Sequence, residues 1–208
     1  MWRIGINDWT GSEPAPDAHS WWARSGKSAF AERLARTSGR SVAFIATATA
    51  GDEEMRERIE RHRTERPANW LTIEEPLDMV AAVRQGAKVA DVIILDCMTL
   101  WLTNWLFRDG SIDVDGEMSR PGELFNEEVA REVERLVSAI QELPDSKSLL
   151  IVSNEVGLGL VPDTPLGRVY RDILGRINQR IATEADLAYL LVAGLPIELK
   201  HLQASYPW

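Results

Sequence analysis

The sequence predicts an α/β domain: a mostly parallel sheet with helices on both faces. Three observations lead there. From residue 42 onward, short apolar runs alternate with stretches of helical periodicity, the order expected of strands joined by crossover helices. The runs VAFIATA, VIILD, LLIVS and LAYLLVA are continuously apolar rather than alternating, as strands covered on both faces are. The 208 residues suit one domain with a substantial core, and 45% apolar with 26% charged residues is the balance of a globular chain with no run approaching a membrane span.

The elements follow in order. A first helix is predicted over 27 to 37, then the strand VAFIATA, then helices over 52 to 66 and 76 to 86. VIILD leads into a helix over 98 to 107. The acidic, glycine-rich stretch FRDGSIDVDGEMSRPGE reads as a mobile surface loop before a helix over 122 to 143. LLIVS, a helix over 166 to 185 and LAYLLVA as a last buried strand complete the pattern. Residues 1 to 22 break the order: MWRIGINDWTGSEPAPDAHSWW holds four of the eight tryptophans and no apolar run leading into residue 23. The expected organisation is therefore an anomalous segment, 1 to 22, followed by one domain, 23 to 208.

Composition excludes several functions. The single cysteine, Cys97, can form neither an internal disulfide nor a cysteine-built zinc site, which fits a reducing compartment. The N-terminus has no export signal, so the cytoplasm is expected. A net charge of -9 disfavours binding to nucleic acid or anionic lipid, and any phosphate site must be local.

Arg24-Ser25-Gly26-Lys27-Ser28 matches the second half of a phosphate loop, in which backbone N–H groups and a lysine hold phosphates and the hydroxyl binds magnesium. The helix after it would turn its N-terminus to the anion. Trp21 and Trp22 stand where the pattern opens with glycine, and a plain helix cap is the competing reading. Asp96, ending VIILD, has the form of a magnesium-binding carboxylate beside such a loop, with Ser28 as second ligand; a turn-capping aspartate is the alternative.

In GDEEMRERIERHRTERPANW only Met55 and Ile59 are clearly apolar, so this helix is weakly attached to any core. Arg56, Arg58, Arg61, Arg63 and Arg66 surround His62, while Glu53, Glu54, Glu57, Glu60 and Glu65 supply matching acids. Spacing alone favours a solvated helix laced with Glu–Arg pairs. If the arginines gather phosphates, they favour neutral imidazole, a competent nucleophile at phosphorus, and His62 becomes the catalytic candidate. Ser153, Asn154 and Glu155 follow LLIVS at the strand edge where open parallel sheets bind ligands. Glu155 could position a hydroxyl or cation there, or the trio could be a turn and cap. His19 and His201 have no partner that the sequence identifies.

Taken together, ARSGKS, IATA, RIERHRTERPANW, EEP, ILDCMTLWLTN, SNEVGLGLVP, GRINQRIA and AGLPIELK resemble the bifunctional adenosylcobinamide kinase / adenosylcobinamide-phosphate guanylyltransferase family, over about residues 23 to 200. The resemblance implies a RecA-like P-loop fold and a homo-oligomer, trimeric where familiar. It implies phosphorylation of adenosylcobinamide by ATP or GTP, then transfer of GMP from GTP to adenosylcobinamide phosphate through a guanylylated histidine. It places His62 as the GMP carrier, and nucleotide contacts at Ala23, Arg24, Ser25, Gly26, Lys27, Ser28, Ala46, Thr47, Ala48, Arg63, Thr64, Glu65, Arg66, Glu74 and Asp96, with Mg2+ on Ser28 and Asp96. A nucleotide-binding subunit of the same fold that has lost turnover is the alternative, raised by Trp21 and Trp22. Another P-loop kinase of a small alcohol would leave the His62 segment unexplained.

The family runs a short apolar strand straight into G-G-x-R-S-G-K-S, whereas this chain has PAPDAHS and then two tryptophans. The return to pattern at Ala23 is abrupt, which points to a reading-frame error or misassigned start upstream of that codon. Resequencing the 5′ end of the gene is expected to reveal a frame restoring the glycines; an uninterrupted frame encoding these 22 residues in expressed protein would refute this.

Overall fold

The strand at Val42–Ala46 (β1) is buried along its whole length, and its residues alternate between two cores. Ala43 and Ile45 face one cluster; Val42, Phe44 and Ala46 face the other. The strand at Val92–Asp96 (β3) divides in the same way, with Ile93 and Leu95 on one side and Val92 and Ile94 on the other. That double burial is why neither run shows polar alternation. The computed structural model describes residues 26–113, 116–119 and 121–203. Within it, Leu71–Glu74 (β2), β1, β3 and Ser148–Val152 (β4) form one sheet in the order β2-β1-β3-β4, every pair parallel. The register sets Glu74 beside Ala46, Ala46 beside Asp96, and Asp96 beside Val152. Four strands thus end on one line.

The helices are Lys27–Thr37 (α1), Glu53–Glu65 (α2), Met79–Val89 (α3), Met98–Phe107 (α4), Gly122–Gln141 (α5) and Pro165–Glu184 (α6), close to the six predicted spans. Local chemistry sets several starts. Asp52 accepts from the Met55 N–H at 2.7 Å, Asp78 from Ala81 at 3.0 Å, and Thr164 from Gly167 at 3.1 Å with Pro165 next in the chain. α1 buries Ala31 and Ala35 in the smaller core, on the face opposite the larger core to which α3, α4, α5 and α6 contribute. α3 approaches the sheet closely at Gly86, where an added Cβ would stand 3.3 Å from that of Ala43. In α4, Trp101 is fully buried and its indole N–H donates to the Leu77 carbonyl at 2.8 Å.

One expectation is corrected, one strand is added, and the surface loop after α4 gains an anchor. LAYLLVA is not a further buried strand of the main sheet. Tyr189–Val192 (β5) pairs antiparallel with Leu195–Glu198 (β6) in a separate two-stranded sheet and is only partly buried. The cause is the two-residue turn Ala193-Gly194, whose φ angles of 51° and 79° fold the chain straight back. The short helix Leu199–Leu202 (α7) follows. β2 was not anticipated: its four residues lie at the sheet edge with Leu71 44% exposed, too short and too mixed to stand out. The acidic stretch after α4 is tied down, since Ile112 is buried in the main core and bridges to Met118. The segment 1 to 22 lies outside the described residues.

Trp101→Ala would leave a cavity and take from the Leu77 carbonyl one of its two donors, the other being the Met79 N–H at 3.2 Å. Urea unfolding is expected to show a loss of about 3–5 kcal/mol.

Candidate nucleotide site

α1 starts at the same sheet edge. Gly26 is its N-cap, with φ of 87°, a left-handed conformation that side chains resist, and its carbonyl accepts from the Phe30 N–H at 2.8 Å. The Cβ of any other residue there would stand 3.4 Å from the Gly194 Cα, because the β5–β6 turn abuts the loop. One turn on, Phe30 packs edge-on to Tyr189, with ring centroids 5.1 Å apart. Lys27 and Ser28 occupy the first turn of α1, and the Ser28 hydroxyl donates to the Asp96 carboxylate. Burial pushes the Asp96 carboxyl up; Ser28, then His62, Arg66 and Lys27, pull it back down. Residues from α1, and from α2 and its C-cap, therefore act on the carboxylate that ends β3.

The backbone beside Asp96 is braced. Thr47, fully buried, donates its hydroxyl to the Cys97 carbonyl and accepts from the Cys97 N–H, both at 2.8 Å, while its own N–H reaches the Asp96 carbonyl at 3.0 Å. Asn104 of α4 donates to the carbonyls of Thr47 at 2.7 Å and Pro76 at 3.3 Å, and accepts from the Thr49 hydroxyl at 3.0 Å. The Ala46 carbonyl is taken by the Glu75 N–H at 3.0 Å. Thr47 thus fixes the backbone at Asp96 and Cys97, and Ala46 lies beside Asp96 in the register.

None of the described side chains of α2 is buried; Met55, Ile59 and His62 are half-buried and the rest exposed. The solvated-helix reading is right for Arg56, which pairs with Glu53. At the far end the contacts reach other elements. Arg63 reaches Glu74 of β2 at 3.5 Å, and Thr64 donates to the Arg61 carbonyl at 2.8 Å. The Glu65 carbonyl accepts from Arg36 at 3.4 Å. The Arg66 guanidinium lies 3.6 Å over the Phe44 ring, and its Nε–H is buried with no acceptor among the described residues. Burial holds that guanidinium below its usual value, against Glu32, Asp96 and Glu74. An orphaned, desolvated N–H donor beside a lysine and a buried carboxylate suits a phosphate oxygen.

Among the described residues no group of three or more His, Cys, Asp and Glu side chains forms a metal cage. The adjoining Ser28 hydroxyl and Asp96 carboxylate are hard oxygen donors, and Mg2+ takes few protein ligands beside substrate phosphates, so the residues fit that ion. Ala23, Arg24, Ser25, Trp21, Trp22 and His19 lie outside the described residues.

The trio after β4 is largely bracing. Ser153 donates to Asn178 at 2.6 Å, Asn178 to the Asn154 carbonyl at 2.9 Å, and Asn154 to the Thr99 hydroxyl at 2.9 Å. Glu155, exposed, accepts from the Gly157 N–H at 2.7 Å. His201 pairs with Glu198 at 2.6 Å in α7. Glu32 escaped sequence reasoning. It sits one turn past Ser28, its side chain is only 17% exposed, and it lies 3.6 Å from Arg36. Its spacing from Ser28 was the one available signal, hidden in an ordinary amphipathic helix.

Residues 22–199 match the family model described as cobinamide kinase / cobinamide phosphate guanyltransferase. The chain is 46% identical over 178 residues to the bifunctional adenosylcobalamin biosynthesis protein CobP of Pseudomonas aeruginosa, covering 86% of this chain and 93% of that protein. It is 38% identical to the bifunctional adenosylcobalamin biosynthesis protein CobU of Salmonella typhimurium and 36% identical to that of Escherichia coli, each over 86% of this chain and 96% of the relative.

Asp96 sets a stability prediction. Its carboxyl is raised in the folded state, so above the ordinary aspartate range the unfolded chain holds fewer protons, and ionised Asp96 opposes folding. Asp96→Asn is expected to raise the Tm of the nucleotide-free protein at pH 7, with the gain fading as pH falls toward about 4, where the unfolded aspartate protonates. Thermal scans across that range check it.

Proposed function

Because the chain belongs to the cobinamide kinase / cobinamide phosphate guanyltransferase family, we propose that one sheet edge serves both of its reactions, with His62 as the covalent carrier of GMP. The protein is an enzyme of adenosylcobalamin biosynthesis, a bifunctional kinase and guanylyltransferase acting with nucleotide substrates. The observation that carries the site assignment is the convergence of Lys27, Ser28, His62 and Arg66 on Asp96.

In the kinase step the hydroxyl of adenosylcobinamide attacks the γ-phosphorus of ATP or GTP. A P–O bond forms, the bond to the β–γ bridging oxygen breaks, the nucleoside diphosphate leaves, and the hydroxyl proton passes to solvent. Gly26, Lys27 and Ser28, preceded by Ala23, Arg24 and Ser25, hold the phosphates. In the second reaction a neutral imidazole nitrogen of His62 attacks the α-phosphorus of GTP. The P–N bond forms as the α–β bridging P–O bond breaks, and pyrophosphate leaves. A phosphate oxygen of adenosylcobinamide phosphate then attacks the same phosphorus, breaking the P–N bond and releasing adenosylcobinamide-GDP with His62 restored. Arg63 and Arg66 are assigned as the donors that stabilise the charge developing on the phosphoryl oxygens. Ser28 and Asp96 would hold Mg2+, which would neutralise phosphate charge in both reactions. Further nucleotide contacts fall to Ala46, Thr47, Ala48, Thr64, Glu65 and Glu74, by resemblance.

Copies of the chain associate, on this reading as a trimer. In support, the β5–β6 hairpin and α7 expose Val192 by 52%, Leu195 by 69%, Ile197 by 39%, Leu199 by 43% and Leu202 by 69%. Among the described residues no helix is long and apolar enough to cross a membrane, and the buried thiol of Cys97 suits a cytoplasmic enzyme. The alternative of a subunit without turnover rests on Trp21 and Trp22 alone.

Incubation with α-labelled GTP and magnesium should give an acid-labile labelled band. His62→Ala is expected to abolish the label and Lys27→Ala to abolish triphosphate binding; labelling of the His62→Ala protein at the parent level removes His62 from the mechanism. Nucleotide binding without product would instead favour the subunit.

A further inference from the structure

α1 and α2 bring the two halves of the chemistry together, yet they are attached to the fold in different ways. α1 is rooted by Ala31 and Ala35 in the smaller core, whereas none of the described side chains of α2 is buried. A helix without a buried apolar stripe takes its position from whatever contacts it makes at its ends. At its far end those contacts are guanidiniums. Arg66 lies flat on Phe44, whose ring is buried in β1; Arg36, reaching across from α1, stacks on Trp70 at 5.4 Å and donates to the Glu65 carbonyl at 3.4 Å. The carboxylate of Glu32 lies 3.6 Å from Arg36 and within electrostatic reach of Arg66.

We propose that Glu32 is a positioning residue: acting on Arg36 and Arg66, it fixes the end of α2 against α1 and so sets where His62 stands relative to the phosphate loop. Its catalytic consequence rests on reading His62 as the GMP carrier; the mechanical part does not.

Two arguments favour positioning over a general contribution to stability. Burial pushes the Glu32 carboxyl up despite both arginines, so the ionised side chain is held at a net cost to folding rather than a gain. Without its charge, the acids left to Arg66 are Asp96, already engaged by Ser28 and Lys27, and the exposed Glu74. Arg66 would then be drawn toward the carboxylate of the phosphate site, and Arg36 would lose the anion that holds it over the end of α2.

Glu32→Gln keeps the volume and hydrogen-bonding capacity while removing the charge. Hydrogen exchange of the full-length, nucleotide-free protein is expected to quicken at least tenfold in α2, about 1.4 kcal/mol in opening free energy, with β1 and β3 unchanged and the Tm not lowered. Glu32→Asp should restore part of the protection and Arg36→Gln should mimic the loss. Unchanged exchange in α2, or faster exchange spread equally over β1 and β3, would overturn the proposal. In single-turnover labelling with α-labelled GTP, Glu32→Gln should slow formation of the His62 adduct by more than it slows phosphorylation of adenosylcobinamide. A parent protein that takes no label would defeat the His62 reading, and the exchange result would still decide the role of Glu32. A labelled parent with equally fast labelling of the Glu32→Gln protein would refute the catalytic consequence.

Discussion

A carboxylate at the closed end of β3 is the constraint around which the rest is arranged. Burial disfavours the charge on Asp96, so groups that favour it must be supplied from nearby, and they arrive from two helices: Ser28 and Lys27 from α1, His62 from α2, and Arg66 from the C-cap of α2. The parallel register makes this possible, because it ends β2, β1, β3 and β4 on one line. Thr47 and Asn104 then fix the backbone behind the aspartate with hydrogen bonds that leave the chain little freedom there.

The fold was largely legible, and the reason is geometric. β1 and β3 are covered on both faces, which forces continuous apolar runs, and α1, α3, α5 and α6 each turn one apolar stripe to a core. Where a segment is covered on one side only, the signal weakened. LAYLLVA has the composition of a central strand, but a turn of two positive-φ residues, Ala193 and Gly194, sends it back on itself, and composition does not record handedness. β2 was too short to announce itself. Ile112 is the opposite case: a single apolar residue inside an acidic loop, enough to pin it to the core.

The site was legible in its chemistry and less so in its supports. The glycine, lysine and serine of the loop, the aspartate after VIILD and the histidine among arginines each carry a residue type that the chemistry demands. Glu32 and Asn104 carry none; their importance comes from what stands beside them in space. Spacing on α2 alone could not separate a solvated helix from a phosphate-gathering one. The structure divides it: Arg56 and Arg63 are exposed and paired with glutamates, whereas Arg66, just past the helix, is packed on Phe44.

Gly26 leans on the turn of the β5–β6 hairpin, and Phe30 leans on Tyr189 one helical turn later. The two ends of the described chain are therefore each other's mould. A side chain at position 26 would face an unfavourable dihedral and would touch the turn at Gly194, so the start of α1 and the C-terminal ribbon limit one another's shape.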